Sequence, residues 1–165
     1  MIQFLLKNIQ SIKFAFDRLG YEAELTSDEA HIRAADKVIF PGVGEASSAM
    51  NKLKLSGLDL VIPQLTQPVL GICLGMQLMC TYSEEGNTQG LGLFHTEVRK
   101  FNHGVKVPQI GWNEISDLKS DLFRDIPERS YIYLVHSYYA PMCKETIAVS
   151  DYGLSYSAAL QYRNF

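Results

Sequence analysis

No stretch of this 165-residue chain forms a long unbroken apolar run, so no membrane-spanning helix is expected. Cysteine is scarce: Cys73, Cys80 and Cys143 are an odd count with no disulfide-scaffold spacing. There is no Cys-x-x-Cys and no pair of histidines at ligand spacing, so neither a metal site nor a bound cofactor is expected. Basic residues number 15 against 18 acidic ones, and they are scattered, not gathered into a stripe. That excludes the electrostatic footprint of a nucleic-acid partner. Internal repeats, low-complexity tracts and linkers are missing, which predicts one domain over residues 1–165. The opening Met1-Ile2-Gln3-Phe4-Leu5-Leu6-Lys7 lacks the basic n-region and cleavage site of a signal peptide and reads as a short strand. A reducing, cytoplasmic setting is therefore expected.

Hydrophobic residues make up 47% of the chain, enough for a sizeable core. Their pattern alternates between strands and helices, which predicts an α/β fold of three layers, a mostly parallel sheet with helices on both faces. Ile9, Ile12, Phe16 and Leu19 recur at helical spacing, and Gly20 supplies a stop. Val38-Ile39-Phe40 reads as a buried strand broken by Pro41-Gly42, followed by a helix from about Glu45 to Leu53. Val69-Leu70-Gly71-Ile72 reads as a second buried strand running into a helix from Leu74 to about Tyr82. Cys73 and Cys80 would then lie two turns apart on one helix, about 10 Å by helical rise and too far to bridge. Beyond the loop Glu84 to Gly90, strands succeed one another: Leu93 to Lys100, around Trp112, Tyr131 to Tyr139, Thr146 to Ser150 and Ser155 to Tyr162. They predict an antiparallel extension in the second half.

Gly71-Ile72-Cys73-Leu74-Gly75 sets a cysteine between two glycines where an apolar strand turns into a helix. This is the arrangement of a nucleophile elbow with cysteine in the nucleophile's place. Such a turn crowds the backbone two residues either side, which explains the glycines. A helix N-terminus is expected to lower the thiol pKa, and the Leu74 N–H would point at a developing oxyanion. Gln77, one helical turn on, can reach the same rim or lie on the helix surface. Pro41-Gly42-Val43-Gly44 is neither a Walker loop nor a dinucleotide fingerprint.

Gly71-Ile72-Cys73-Leu74-Gly75-Met76-Gln77 resembles the nucleophile signature of the class I (triad) glutamine amidotransferases. The form Pro-Gly-Val-Gly followed by Ala49-Met50, the Pro108-Gln109-Ile110-Gly111-Trp112-Asn113 stretch and His136-Ser137-Tyr138-Tyr139 are similar to the glutaminase subunits of imidazole glycerol phosphate synthase. The resemblance implies hydrolysis of L-glutamine through a thioester on Cys73. It implies an oxyanion hole of Gly42 or Val43 with Leu74. It implies substrate binding by Gln77, Glu85, His136, Ser137 and Tyr138, with His136 as a pocket residue and not the base. It also implies that Trp112 and Asn113 face a (β/α)8-barrel cyclase subunit in a heterodimer.

Two departures from that pattern stand out. The family's Asp-Tyr-x-x-Gly-Asn loop is replaced by Leu6-Lys7-Asn8-Ile9, and the C-terminal His-Pro-Glu motif is absent, since none of His31, His95, His103 and His136 is followed by Pro-Glu. With no such base the 165 residues are expected to hydrolyse glutamine negligibly. Two other readings remain open: a glutaminase for another ammonia-channelling synthase, and a non-catalytic cysteine redox sensor of DJ-1-like architecture.

Overall fold

The computed structural model describes residues 2–4, 10–102 and 104–165, with side chains described from Gln10 onward. Ile9, the contracted stretch at residues 6–9 and His103 lie outside the described residues. A first sheet is built from β1 (Ile2–Phe4), β2 (Ala23–Leu25), β3 (Lys37–Gly42) and β4 (Val69–Cys73), all parallel and ordered β2-β1-β3-β4. Between them run α1 (Gln10–Arg18), α2 (Glu29–Ala34), α3 (Ala46–Ser56) and α4 (Leu58–Val61).

Period-two alternation on β3 divides its neighbours. Val38 and Phe40 turn to a large core shared with Ile32 of α2, Met50 and Leu53 of α3, and Leu58 and Val61 of α4. Ile39 turns to the other face, where Ile12 and Phe16 of α1 and Ile72 of β4 pack on it. Helices thus cover both faces, as the sequence pattern predicts. Leu19 lies past the end of α1 and is exposed.

The strand around Val38 is not broken at Pro41-Gly42. It continues through both and pairs Pro41 with Ile72 and Gly42 with Cys73. Among the described residues the pairing with β1 stops at Ile39, and Pro41 lies in the stretch that pairs with β4.

The helix after Cys73 is shorter than expected. α5 (Leu74–Met79) stops after six residues, and Cys80–Ser83 is a strand, β5, pairing in parallel with β7 (Phe94–Lys100). The loop from Glu84 holds a short 3-10 turn (Glu85–Asn87) and β6 (Thr88–Gln89), which closes back on β5. β8 (Gln109–Glu114) and β9 (Tyr131–His136) form a separate antiparallel hairpin. The expected single strand from Tyr131 to Tyr139 is two: at Ser137 the chain leaves β8 and begins β10 (Tyr138–Pro141), which pairs with β7. β11 (Thr146–Asp151) and β12 (Ser155–Leu160) complete a six-stranded mixed sheet ordered β11-β12-β10-β7-β5-β6. Among the described residues no helix is long and apolar enough to cross a membrane.

Candidate active site

The elbow follows from three close approaches. A Cβ on Gly42 would lie 2.7 Å from the Gly75 nitrogen, one on Gly71 would lie 2.8 Å from the Met76 nitrogen, and one on Gly75 would lie 1.8 Å from the Phe40 carbonyl oxygen. Glycine at these positions lets β3, β4 and the first turn of α5 interlock. Cys73 sits at the join with φ 54° and ψ −116°, a left-handed conformation that a cysteine adopts at a strain cost of about 1–3 kcal/mol. That strain turns the residue outward, and Cys73 is exposed while Cys80 is buried.

Cys73 opens onto a cleft of about 350 Å³. Val43, Gly44 and Leu74 line its β3–α5 side, Gln77 and Glu85 another, and Pro108, Val135, His136, Ser137 and Tyr138 the side opposite. The fold therefore gathers most of the residues singled out in sequence around one thiol, although Val135 to Tyr138 lie more than sixty positions from it. Gly42 is beside Cys73 in the sheet register and does not itself line the cleft.

The Cys73 thiol pKa is raised and not depressed, contrary to expectation. Protein atoms packed around the sulfur push the Cys73 thiol up from 9.0, and the nearby Glu85 carboxylate adds to the rise. The Leu74 N–H works in the opposite direction as a donor to the sulfur. With one and a half turns, α5 has too little aligned backbone to outweigh burial.

Gln77 and His136 meet on one atom. The carbonyl oxygen of Tyr138 accepts from Gln77 Nε2 at 3.0 Å and lies 2.7 Å from His136 Nδ1. A proton on Nδ1 satisfies that contact, and the Tyr156 hydroxyl oxygen lies 3.4 Å from the bare His136 Nε2. Tyr156 in turn donates to Gln109 Oε1 at 3.1 Å. Burial pulls the His136 pKa below 6.5, which keeps the ring neutral and fits this tautomer. Both side chains thus hold the Ser137–Tyr138 backbone at the cleft wall. Sequence reasoning did not identify Tyr156 and Gln109, because their link to His136 exists only through tertiary packing.

Glu85 reaches across the cleft mouth, where its Oε2 accepts from the Ala46 N–H at the start of α3 at 2.9 Å. Partial burial raises its pKa above the usual carboxylate value. Trp112 and Asn113 lie on β8, away from this wall. Trp112 is 68% exposed and packs edge-on against Tyr133, while the Asn113 amide donates to the Asp151 carbonyl and ties the hairpin to β11. The His-x-Glu spacing does occur at His95-Thr96-Glu97, but it serves another region: His95 pairs with the buried Glu145 at 3.0 Å and lines a different cleft.

An α/β domain that presents a strained cysteine at a glycine-flanked elbow, on a cleft lined by Gln77, Glu85 and His136, defines a class of cysteine-nucleophile hydrolase. The family of glutamine amidotransferase class-I matches residues 1–160, and the chain belongs to it. Among curated relatives, the imidazole glycerol phosphate synthase subunit HisH of Bacteroides fragilis is 54% identical over all of this chain and 86% of its own length. The HisH subunit of Haemophilus influenzae is 48% identical over 96% of this chain and 80% of its own. Within the class, then, the chain falls in the HisH family. Two solved structures share the fold. A glutamine amidotransferase superposes with TM-score 0.70 at 15% identity over 94% of this chain and 87% of its own. The glutaminase domain of Trypanosoma brucei CTPS with bound acivicin gives 0.56 at 16% identity over 91% and 75%.

Proposed function

We propose that this chain is the glutaminase subunit of an imidazole glycerol phosphate synthase, releasing ammonia from L-glutamine for a (β/α)8-barrel cyclase partner in histidine biosynthesis. The carrying observation is the convergence of Cys73, Gln77, Glu85 and the Ser137–Tyr138 backbone on one cleft. In this reading the Cys73 sulfur attacks the side-chain amide carbon. The oxyanion is stabilised by the Leu74 N–H and by the turn at Gly42 and Val43. The carbon–nitrogen bond breaks, ammonia leaves, and water hydrolyses the thioester to glutamate and free thiol. Glu85, an acid at the cleft wall, faces the substrate ammonium. The backbone and side chains at 136–138 take the α-carboxylate end.

A raised thiol pKa makes a base necessary to take its proton. His136 does not suit the task, because its two ring nitrogens face the Tyr138 carbonyl and the Tyr156 hydroxyl. The family resemblance implies that a base of the His-Pro-Glu kind fills this role. The Asn164 carbonyl accepts from the Val69 N–H at 2.8 Å, which holds residue 164 beside the start of β4. The exposed face of the β8–β9 hairpin is the proposed docking surface for the cyclase. Ile110 stands opposite Val135 and Trp112 opposite Tyr133, all four more than half exposed. Val135 also lines the cleft, so the docking face borders the point where ammonia forms.

The test is reconstitution with a cyclase barrel subunit, scoring glutamine-dependent formation of imidazole glycerol phosphate from the phosphoribulosyl intermediate. The reading requires product with glutamine when the His-Pro-Glu segment is supplied, and none after Cys73→Ser. Product with free ammonia alone, whatever the glutamine concentration, would sink it. Supply to another synthase and a DJ-1-like sensor role are disfavoured by the identity to HisH subunits over the whole chain.

A further inference from the structure

Glu45 is an unusual residue to start a helix, since short polar side chains such as Ser, Thr, Asp and Asn serve best as N-caps. At α3 the cap is split between two carboxylates. Glu45 accepts from the Ser47 N–H at 3.2 Å, the Ser48 N–H at 2.9 Å and the Ser47 hydroxyl at 2.8 Å. The Ala46 N–H is left for Glu85, thirty-nine positions away. The longer side chain of Glu45 meets a second element as well. Gly86 has φ +64°, and a Cβ there would fall 2.2 Å from Glu45 Oε1 and 2.9 Å from the Ser47 Cβ. The turn carrying Glu85 is therefore seated directly on the Glu45 carboxylate with no volume to spare. Glu45 itself follows Gly44, the last residue of the turn that borders Cys73.

We propose that Glu45 is a positioning residue that clamps the Gly42–Gly44 turn to the Glu84–Asn87 turn and so fixes Glu85 at the glutamine cleft. It touches neither substrate nor thiol and acts through Glu85 and the α3 terminus. Its length is the informative feature: a serine would cap α3 equally well but would not reach Gly86.

The inference rests on the glutamine-binding reading of the cleft, and three measurements separate the two. They are the melting temperature, the calorimetric Kd for L-glutamine, and the alkylation rate of Cys73 by iodoacetamide. For Glu45→Ser the clamp requires an unchanged melting temperature, an unchanged alkylation rate and a Kd weakened about tenfold, short of the hundredfold that a misplacement of about 1 Å costs at a reaction centre. Gly86→Ala, which sets a methyl against Glu45 at a positive φ, should weaken Kd and lower the melting temperature together, and so should Glu45→Ala. A wild-type Kd in Glu45→Ser overturns the clamp and leaves Glu45 a plain helix cap. Wild-type protein that binds no glutamine overturns the cleft assignment and the clamp with it.

Discussion

Replacing Gly75 with alanine tests the elbow, because two effects of opposite sign compete there. Gly75 lies in the first turn of α5, where alanine ordinarily stabilises a helix by about 1 kcal/mol over glycine. In this fold the new methyl would stand 1.8 Å from the Phe40 carbonyl oxygen and 2.8 Å from its carbonyl carbon. Ordinary contact starts near 3.4 Å, so β3 and α5 would have to part by roughly 1.5 Å in a close-packed interior. Both sides of the clash are backbone, and neither can rotate away. Overpacking of this kind costs about 1–3 kcal/mol and outweighs the propensity gain. With about 3 kcal/mol of overpacking less about 1 kcal/mol of propensity, the net loss of about 2 kcal/mol should lower the melting temperature by about 4–8 °C, at about 2–4 °C per kcal/mol for a domain of this size. The same displacement moves the Gly42–Gly44 turn away from Cys73 and should slow its labelling by a glutamine analogue by up to about a hundredfold. Circular dichroism melts and timed mass spectrometry read both. A melting temperature equal to or above wild type, with labelling at the wild-type rate, would refute the steric account.

Four further expectations follow from the same structure. Alkylation of Cys73 in the isolated chain should still be accelerating at pH 9, because its pKa is raised above 9.0, and Cys80, pushed up to about 12, should stay unmodified there in the native protein. A plateau of the Cys73 rate below pH 8 would contradict this. His136 has its folded pKa below 6.5, so the unfolded chain takes up its proton first; its contribution to stability is complete above pH 6.5 and fades as pH falls below it. His136→Asn should flatten that part of the pH–stability profile. Trp112→Ala should change stability by no more than about 0.5 kcal/mol, as for an exposed position, while abolishing co-elution with the cyclase subunit. The 165 residues alone should turn over glutamine on the order of 10⁴-fold more slowly than the same chain carrying a His-Pro-Glu segment, read by ammonia release.

Much of the site was legible in sequence because its chemistry is written in contiguous residues. The elbow needs glycine at 71 and 75 for reasons of backbone approach alone, and both glycines prove to be pressed against main chain. The apolar runs at 38–40 and 69–72 gave the parallel core, since buried strands leave little room for other readings. Three things were hidden. α5 ends at Met79 because Cys80–Ser83 finds a parallel partner in β7, a pairing between segments whose local pattern does not announce it. The strand from Tyr131 splits at Ser137 because the chain exchanges β8 for β7, and that exchange brings His136 and Tyr138 to the cleft. The thiol pKa moved opposite to expectation because the helix-terminus argument ignores the protein atoms that partly desolvate the sulfur of a residue that is otherwise exposed. The role of Glu45 rests on its approach to Gly86, 41 positions on, and those of Gln109 and Tyr156 on a contact across 47, so none has a local signature.

The central claim is that Cys73 is the nucleophile of a glutamine-hydrolysing site. Its most direct test is covalent trapping with diazo-oxo-norleucine, a glutamine-mimicking electrophile, on the chain carrying a His-Pro-Glu segment and bound to its cyclase partner. The account requires one adduct, on Cys73, whose formation excess L-glutamine suppresses and glutamine-free buffer restores. No adduct, or an adduct on Cys80 or Cys143 that glutamine does not block, would contradict it.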